Sequence, residues 1–261
     1  MNIHYTTVKG RRDANEDKHT ILLNLDKKID GCNDINLLGI YDGHGGSKVS
    51  EYLEKNIPLI YSNNQYPFSK DYHYKKFEEL QKDILKRKYG FTMGSTCLLN
   101  IIYKYNNEYN MNIINLGDSR LVIVYSNNKF KQITEDHKPD LQIEKERIEK
   151  LGGKIYNDSD GVCRIGDLSL SRSFGDGDNA PYISQVPDVY YCKIHELTKY
   201  IVMGCDGLWD VIENKELFFL LEEFKKNKNI ENLATLLATE ALNRGSTDNI
   251  SVIIIEIIIK I

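Results

Sequence analysis

The 261-residue chain has few of the residues that mark the specialised classes of protein. It contains only 5 Pro, so a proline-rich linker is not expected. Its net charge of −4 provides no excess of positive charge for a nucleic-acid surface. The length suits one large domain or two small ones. We therefore expect an ordinary globular protein without nucleic-acid partners.

Cysteine is also scarce, and its distribution excludes two kinds of small stabilised domain. The 5 cysteines are odd in number, and no two are spaced as CxxC. They are Cys32, Cys97, Cys163, Cys192 and Cys205. This pattern argues against both a disulfide framework and a zinc knuckle. We expect reduced thiols and a location in the cytosol, the nucleus or both.

No apolar run has the length of a membrane span. The N-terminal "MNIHYTTVKG" has neither the apolar core of a signal peptide nor a myristoylation glycine. The C-terminal "NISVIIIEIIIKI" is very apolar, but it is short and is interrupted by Glu256 and Lys260. We expect no membrane partner and a buried closing strand at this end.

Apolar runs rich in β-branched residues predict strands, and apolar residues at helical spacing predict helices. The predicted strands lie near 2–9, 18–25, 35–41, 95–104, 110–117, 120–126, 188–194, 199–205 and 249–259. The predicted helices lie near 45–57, 74–89, 140–151, 213–226 and 229–243. The helices fall into groups and do not alternate with the strands, which favours an α+β fold with antiparallel sheets.

Two further segments carry local predictions. The stretch "INLGDSRLVIVYSNNKF" predicts successive hairpins with turns at "GDS" and "SNN". The irregular stretch near 152–166 predicts a mobile flap.

Acidic residues recur in turns at the ends of predicted strands. The turns are "GRRDANED" with Glu16 and Asp17, "YDGHGG" with Asp42, "NLGDSR" with Asp118, "VMGCDGLWD" with Asp206 and "GSTDNIS" with Asp248. A single aspartate in a turn more often caps that turn than binds a ligand. Several carboxylates at one sheet edge would nevertheless repel each other without a cation. Oxygen ligands alone select Mg²⁺ or Mn²⁺ over Zn²⁺, so a metal site is a hypothesis that spacing cannot prove.

Eight stretches resemble, in order, the motifs of the PPM family, the PP2C-type metal-dependent protein serine/threonine phosphatases. They are "GRRDANED", "YDGHGG", "GSTC", "NLGDSR", "DHKP", "LSLSRSFGD", "CDGLWD" and "STDNIS". The resemblance implies one domain over residues 1–261, built as a four-layer α/β/β/α sandwich with two antiparallel sheets between helices. It also implies hydrolysis of phosphoserine and phosphothreonine in protein substrates.

The same resemblance implies a set of metal ligands. Asp42 would bridge two ions, Mg²⁺ or Mn²⁺, and Asp206 and Asp248 would complete one of them. The backbone carbonyl of Gly43 would bind the other. A water bridging two such ions loses a proton near neutral pH, and the resulting hydroxide would attack phosphorus.

Three more carboxylates have implied supporting roles. Glu16 and Asp17 would hold metal-bound waters from outside the ligand shell. Asp118 matches the position of a third, weaker ion, shared with Asp206.

Arg12 and His44 complete the implied site. A guanidinium can bind two phosphate oxygens at once. Arg11 is adjacent, but the spacing to "NED" favours Arg12, and a strand would turn the two side chains to opposite faces. His44 would act as the general acid that protonates the serine or threonine leaving group. His137 and Thr96 are given structural roles.

Two functions other than catalysis remain possible for this chain. A catalytically inactive PPM-like binding module would keep the fold and lose metal ligands, and a regulatory subunit would dock a partner. Cysteine-based phosphatase chemistry is excluded, because no cysteine has arginine six positions later. We expect a monomer that acts on phosphorylated proteins.

Overall fold

The computed structural model describes residues 1–25, 32–62, 69–226 and 232–258, which contain six α-helices and fifteen strands. The helices are α1 (Lys48–Ser62), α2 (Lys70–Ile84), α3 (Gln142–Lys150), α4 (Asp206–Trp209), α5 (Leu217–Lys226) and α6 (Leu233–Asn243). The strands are β1 (Asn2–Val8), β2 (Lys18–Leu25), β3 (Cys32–Tyr41), β4 (Gly43–His44), β5 (Gly94–Ser95), β6 (Cys97–Tyr105), β7 (Glu108–Leu116), β8 (Arg120–Tyr125), β9 (Phe130–Gln132), β10 (Tyr156–Asn157), β11 (Cys163–Arg164), β12 (Phe174–Gly175), β13 (Asp188–Lys193), β14 (Thr198–Gly204) and β15 (Ile250–Glu256). In this part of the chain, no helix is both long and apolar enough to cross a membrane.

Two five-stranded antiparallel sheets form the centre of the molecule. The first has the order β1-β15-β14-β8-β9, and the second has the order β13-β7-β6-β3-β2. Their central strands are apolar on both faces because both faces are covered, and β15 is buried at all 7 positions.

Side chains from the two sheets interdigitate between them. This inner core contains Leu38, Ile40, Leu98, Ile102 and Ile113 from the second sheet and Leu121, Ile123, Ile201, Met203, Ile253 and Ile255 from the first. The outer face of the second sheet packs against α1 and α2, and that of the first against α4, α5 and α6. Helix α1 contributes Val49, Leu53 and Ile57, whose spacing of four places them on one side. The predicted α+β class and four-layer α/β/β/α sandwich are therefore confirmed.

One predicted hairpin is wrong, and the difference helps to build the site. Strand β7 belongs to the second sheet and β8 to the first, so the "GDS" turn crosses between the sheets. The crossing places Asp118 at the rim where the two sheets meet. The hairpin predicted at "SNN" is confirmed, because β8 pairs with β9.

Several boundaries differ from the sequence prediction. Helix α2 begins at Lys70 instead of 74, where the Ser69 hydroxyl accepts a hydrogen bond from the Tyr72 amide at 3.2 Å. The last strand ends at Glu256, and residue 259 of the predicted range 249–259 lies outside the described residues. The first residues of the helix predicted over 229–243 also lie outside them, and α6 begins at Leu233.

A small sheet that no sequence pattern predicts lies beside the second large sheet. Its order is β12-β5-β4, so β5 is its central strand. The predicted flap region contains the hairpin β10-β11, which is joined to α3 by a separate apolar cluster of Ile148, Ile165, Leu170 and Ile183. Mobility of this flap stays a prediction.

Candidate metal centre and active site

The acidic turns meet at one rim of the sandwich because of the strand directions. Strands β3 and β7 both run antiparallel to β6, so they end at the same edge, where Asp42 and Asp118 follow them. Strand β14 ends, and its antiparallel neighbour β15 begins, at the matching edge of the other sheet, beside Asp206 and Asp248. Together with Arg12 and other residues, they line a cleft of about 550 Å³.

Three carboxylates converge at the base of this cleft. Oxygen atoms of Asp42, Asp118 and Asp206 lie within 4.8 Å of one another. Burial, followed by the charge of Asp206, raises the pKa of Asp42 well above its ordinary value. Burial and the charge of Asp118 raise the pKa of Asp206 to about 7. The Oδ1 atom of Asp118 is buried without a hydrogen-bond partner in the described structure. Mutual repulsion and an unused oxygen ligand both fit a site for a divalent cation.

Asp17 lies beneath this group, next to Asp42. Its Oδ2 atom accepts a hydrogen bond from the Ser251 hydroxyl at 2.7 Å, and its buried Oδ1 has no described partner. Burial raises the pKa of Asp17 to about 6. The Cys205 sulfur is close, but it donates to the Asn249 carbonyl at 3.4 Å, and burial raises the pKa of its thiol well above the ordinary value. The carboxylates around Asp42 provide an oxygen donor set, which suits Mg²⁺ or Mn²⁺.

Gly43 and Glu16 form the adjoining wall. A Cβ atom at Gly43 would lie 2.5 Å from the Glu16 carbonyl oxygen and 2.8 Å from the Ser50 hydroxyl, so only glycine fits between them. The Glu16 carboxylate accepts a hydrogen bond from the Gly46 amide at 3.1 Å. Glu16 therefore faces the cleft in a fixed position.

Arg12 and Asp248 lie at the mouth of the cleft. The Nη2 atom of Arg12 is 2.6 Å from Oδ2 of Asp248, and 60% of the Arg12 side chain is exposed. Asp248 lines the cleft but does not belong to the compact groups around Asp42. The strand argument for choosing Arg12 over Arg11 is wrong, because β1 ends at Val8 and residues 10–14 form turns and bends.

His44 lies on the inner wall. Its Nε2 atom is 2.8 Å from Oδ2 of Asp176. Burial alone would lower the pKa of His44, but the hydrogen bond and charge of Asp176 outweigh burial and raise it. The imidazole is held at the site, with 25% of its side chain exposed.

Sequence reasoning gave no site role to three residues that the structure places here. Lys138 forms an ion pair with Asp118, Asp176 contacts His44, and Arg164 of β11 lines the cleft. Lys138 and Asp176 lie in the quoted stretches "DHKP" and "SFGD". Their position as charged residues within these motifs was the sequence feature that could have identified them as site residues.

The structural roles of His137 and Thr96 are confirmed. The buried His137 accepts a hydrogen bond from the Gly117 amide at 3.0 Å. Thr96 donates its amide to the Asp42 carbonyl at 2.8 Å, and its hydroxyl accepts from the Asp42 amide at 3.1 Å. Both residues therefore fix the turns that carry the acidic side chains.

Comparison with known proteins identifies the family. The family model described as "Protein phosphatase 2C" matches residues 1–250, so the chain belongs to the protein phosphatase 2C family. It is 32% identical over 237 residues to "Probable protein phosphatase 2C 28" of Arabidopsis thaliana, covering 88% of this chain and 66% of that protein. It is 30% identical over 261 residues to "Probable protein phosphatase 2C 71" of the same plant, covering 96% of this chain and 54% of the relative. The chain thus spans between half and two thirds of the length of these relatives.

The fold is shared with solved structures. The "Structure of a C. elegans sex determining protein" superposes with a TM-score of 0.84 at 29% identity, covering 97% of this chain and 64% of that one. The predicted family resemblance is therefore confirmed.

Proposed function

We propose that this chain hydrolyses phosphoserine and phosphothreonine in protein substrates with the help of Mg²⁺ or Mn²⁺. The observation that carries the proposal is the group of mutually repelling carboxylates of Asp42, Asp118 and Asp206 in one cleft, with Asp118 buried and the other two half-buried. Arg12 and His44 line the same cleft. Membership of a family whose members are protein phosphatases supports the reaction class.

The residues assigned to two cations all line the cleft. Asp42 would contact both ions, Asp206 and Asp248 one of them, and the Gly43 carbonyl the other. Asp118 would hold a third, weaker ion together with Asp206. Divalent ions at such a site supply a water that loses its proton near neutral pH and serves as the nucleophile.

Glu16 and Asp17 would orient the surrounding water. Glu16 is held toward the cleft by the Gly46 amide, and Asp17 is held from below by Ser251. Carboxylates outside the ligand shell commonly change metal affinity or activity by about 10–100-fold when removed.

Arg12 and His44 would act on the substrate itself. The exposed guanidinium of Arg12 can bind two phosphate oxygens at the mouth of the cleft, with Asp248 fixing its orientation. His44 would donate a proton to the serine or threonine oxygen, which is a poor leaving group without it.

The remaining expectations stay proposals about the whole protein. We propose one catalytic domain over residues 1–261 with a flap near 152–166, acting as a monomer in the cytosol or nucleus. Neither nucleic acid nor membrane is a proposed partner.

The test is hydrolysis of p-nitrophenyl phosphate and a phosphothreonine peptide with EDTA, Mg²⁺ or Mn²⁺. We expect turnover of both that requires the divalent ion and is lost in Asp206→Ala. Asp71→Asn, an exposed carboxylate in the first turn of α2, is the matched control and should keep full activity. No turnover by the folded protein at millimolar Mn²⁺ would favour the inactive binding module.

A further inference from the structure

His44 and Asp176 form a pair at the inner wall of the cleft. Asp176 is buried, with 3% of its surface exposed, and its Oδ2 atom lies 2.8 Å from Nε2 of His44. The same oxygen accepts a hydrogen bond from the Ser173 hydroxyl. A carboxylate only accepts hydrogen bonds, so the proton between the two residues is on Nε2. Nδ1 is then the nitrogen of His44 that a substrate can meet, and no described residue bonds it.

The small sheet creates this contact. His44 of β4 and Gly175 of β12 both lie opposite Gly94 of the central strand β5. A Cβ atom at Gly94 would lie 2.1 Å from Oδ2 of Asp176 and 2.3 Å from Nε2 of His44. The pair can therefore form only because position 94 has no side chain.

The backbone at Asp176 is held in an uncommon conformation. Its φ is 50°, in the left-handed region that aspartate and asparagine tolerate better than most residues. The Gln81 side chain bonds both backbone groups of Gly175, accepting from the amide at 2.8 Å and donating to the carbonyl at 2.9 Å. Conformations that the surroundings fix in this way cluster at functional sites.

We propose that Asp176 is a positioning residue that holds the His44 imidazole by Nε2, so that Nδ1 delivers the proton to the leaving serine or threonine oxygen. This rests on the proposed function, because it assigns an orientation to the acid of that reaction. As the phosphorus–oxygen ester bond breaks, its electron pair goes to the departing oxygen. The imidazolium form of His44 carries a proton on each nitrogen, so that oxygen takes the proton from Nδ1, and the imidazole is left neutral with Nε2–H still bonded to Asp176.

Two substitutions separate positioning from folding. Asp176→Gly removes the acceptor without strain at positive φ, and Asp176→Asn keeps an acceptor oxygen in a residue that also tolerates this conformation. We expect Asp176→Gly to lower kcat for a phosphothreonine peptide at least about tenfold, since general acids contribute about 10²–10⁴-fold. Turnover of p-nitrophenyl phosphate, whose leaving group needs no proton, should fall by less than about twofold. Asp176→Asn should recover most of the peptide activity.

A double-mutant cycle tests whether Asp176 acts through His44. In a His44→Ala background, Asp176→Gly should have no further effect on peptide turnover. The proposal would be overturned if Asp176→Gly lowered the turnover of both substrates equally. It would also be overturned if Asp176→Gly lowered peptide turnover further in the His44→Ala background.

A second readout does not depend on turnover. In ¹⁵N-resolved NMR spectra of the metal-free protein, Nε2 of His44 should carry a proton, with an Nε2–H signal that Asp176→Gly removes. Asp178→Asn, an exposed carboxylate two positions away, should leave the signal in place. A His44 spectrum that Asp176→Gly does not change would refute the positioning role. An inactive wild type with the expected spectrum would refute only the proposed function.

Discussion

Two regions of this molecule hold carboxylates away from solvent, wholly or in part, and the partners of those carboxylates differ. At the rim, Asp42, Asp118 and Asp206 lie close together, Lys138 pairs with Asp118, and the pKa values of Asp42 and Asp206 are raised. Beneath the flap, Glu144 of α3 is fully buried between two arginines.

The second region satisfies its charges within the protein. Glu144 lies 2.8 Å from Arg147 and 2.5 Å from Arg172, and Arg172 lies 3.1 Å from Asp188. Burial would raise the pKa of Glu144, but the hydrogen bond and charge of Arg172 outweigh it, so the pKa is lowered. A hydrogen bond from His137 is the main cause that lowers the pKa of Asp188. Arginine neutralises the buried carboxylate of the second region, whereas Lys138 pairs with Asp118 at the rim and the pKa values of Asp42 and Asp206 remain raised, which fits a site for a cation.

The largest expected effect is loss of activity at the rim. Asp42→Asn should lower kcat/KM for p-nitrophenyl phosphate in Mn²⁺ by more than about 100-fold, since even outer-shell partners cost about 10–100-fold. In EDTA the same variant should be at least as stable as wild type to urea, because one repelling charge is gone. A large loss of stability of Asp42→Asn in EDTA would contradict the interpretation that the carboxylates at the rim repel one another.

The matching change beneath the flap should act on stability. Glu144→Gln leaves two arginines without their shared anion and should lower the free energy of unfolding by about 3 kcal/mol. Urea denaturation measures this, with Glu149→Gln, exposed on the same helix, as a control expected within about 0.5 kcal/mol. Similar values for the two variants would mean that the buried network does not stabilise the fold.

Cation binding should stabilise the protein only when the carboxylates at the rim are intact. Mn²⁺ at about 100 times its dissociation constant should raise the free energy of unfolding by about 2.7 kcal/mol. Urea denaturation with and without Mn²⁺ should show this increase in wild type and Glu149→Gln but much less in Asp42→Asn. An equal increase in Asp42→Asn would place the bound ion elsewhere.

The two regions should respond to pH with opposite sign. The pKa values of Asp17 and Asp206, about 6 and about 7, exceed their ordinary 3.8, so the folded metal-free protein retains protons that the unfolded chain releases. Stability in EDTA should therefore fall as pH rises from about 4 to about 7. Glu144 contributes stability that is present above its ordinary pKa and is lost as pH falls through its lowered folded pKa. Urea denaturation at a series of pH values measures this decrease in the free energy of unfolding. The decrease should be smaller in Asp206→Asn than in wild type, whereas Glu149→Gln should not change it.

The smallest expected effect on stability is at the exposed ion pair. Arg12→Gln should change the free energy of unfolding by less than about 0.5 kcal/mol, because exposed pairs contribute little. It should raise KM for the phosphothreonine peptide, since a phosphate contact is lost. Lys9→Gln, an exposed cation on the same segment, should leave KM unchanged. An unaltered KM in Arg12→Gln would remove Arg12 from substrate binding.

The sequence determined most of the secondary structure, because buried strands such as Ile250–Glu256 and amphipathic helices such as α1 carry their pattern locally. Its motifs, whose residues and order are specific, also predicted the acidic turns that the structure brings to one rim. The start of α2 was less well predicted, because it depends on the cap formed by Ser69. The choice between Arg11 and Arg12 was also less well predicted, because both residues lie in turns and bends.

Tertiary structure alone decided what these residues meet. The "GDS" segment carries the signature of a hairpin, yet it crosses between sheets because each flanking strand pairs with partners distant in sequence. The contact between His44 and Asp176 joins residues 132 positions apart, across a two-residue strand too short to leave a pattern. Whether a carboxylate meets an arginine distant in sequence, as Glu144 meets Arg172, or other carboxylates, as Asp42 does, depends on how the helices and strands assemble. That arrangement is a property of the assembled sheets and not of any local stretch of sequence.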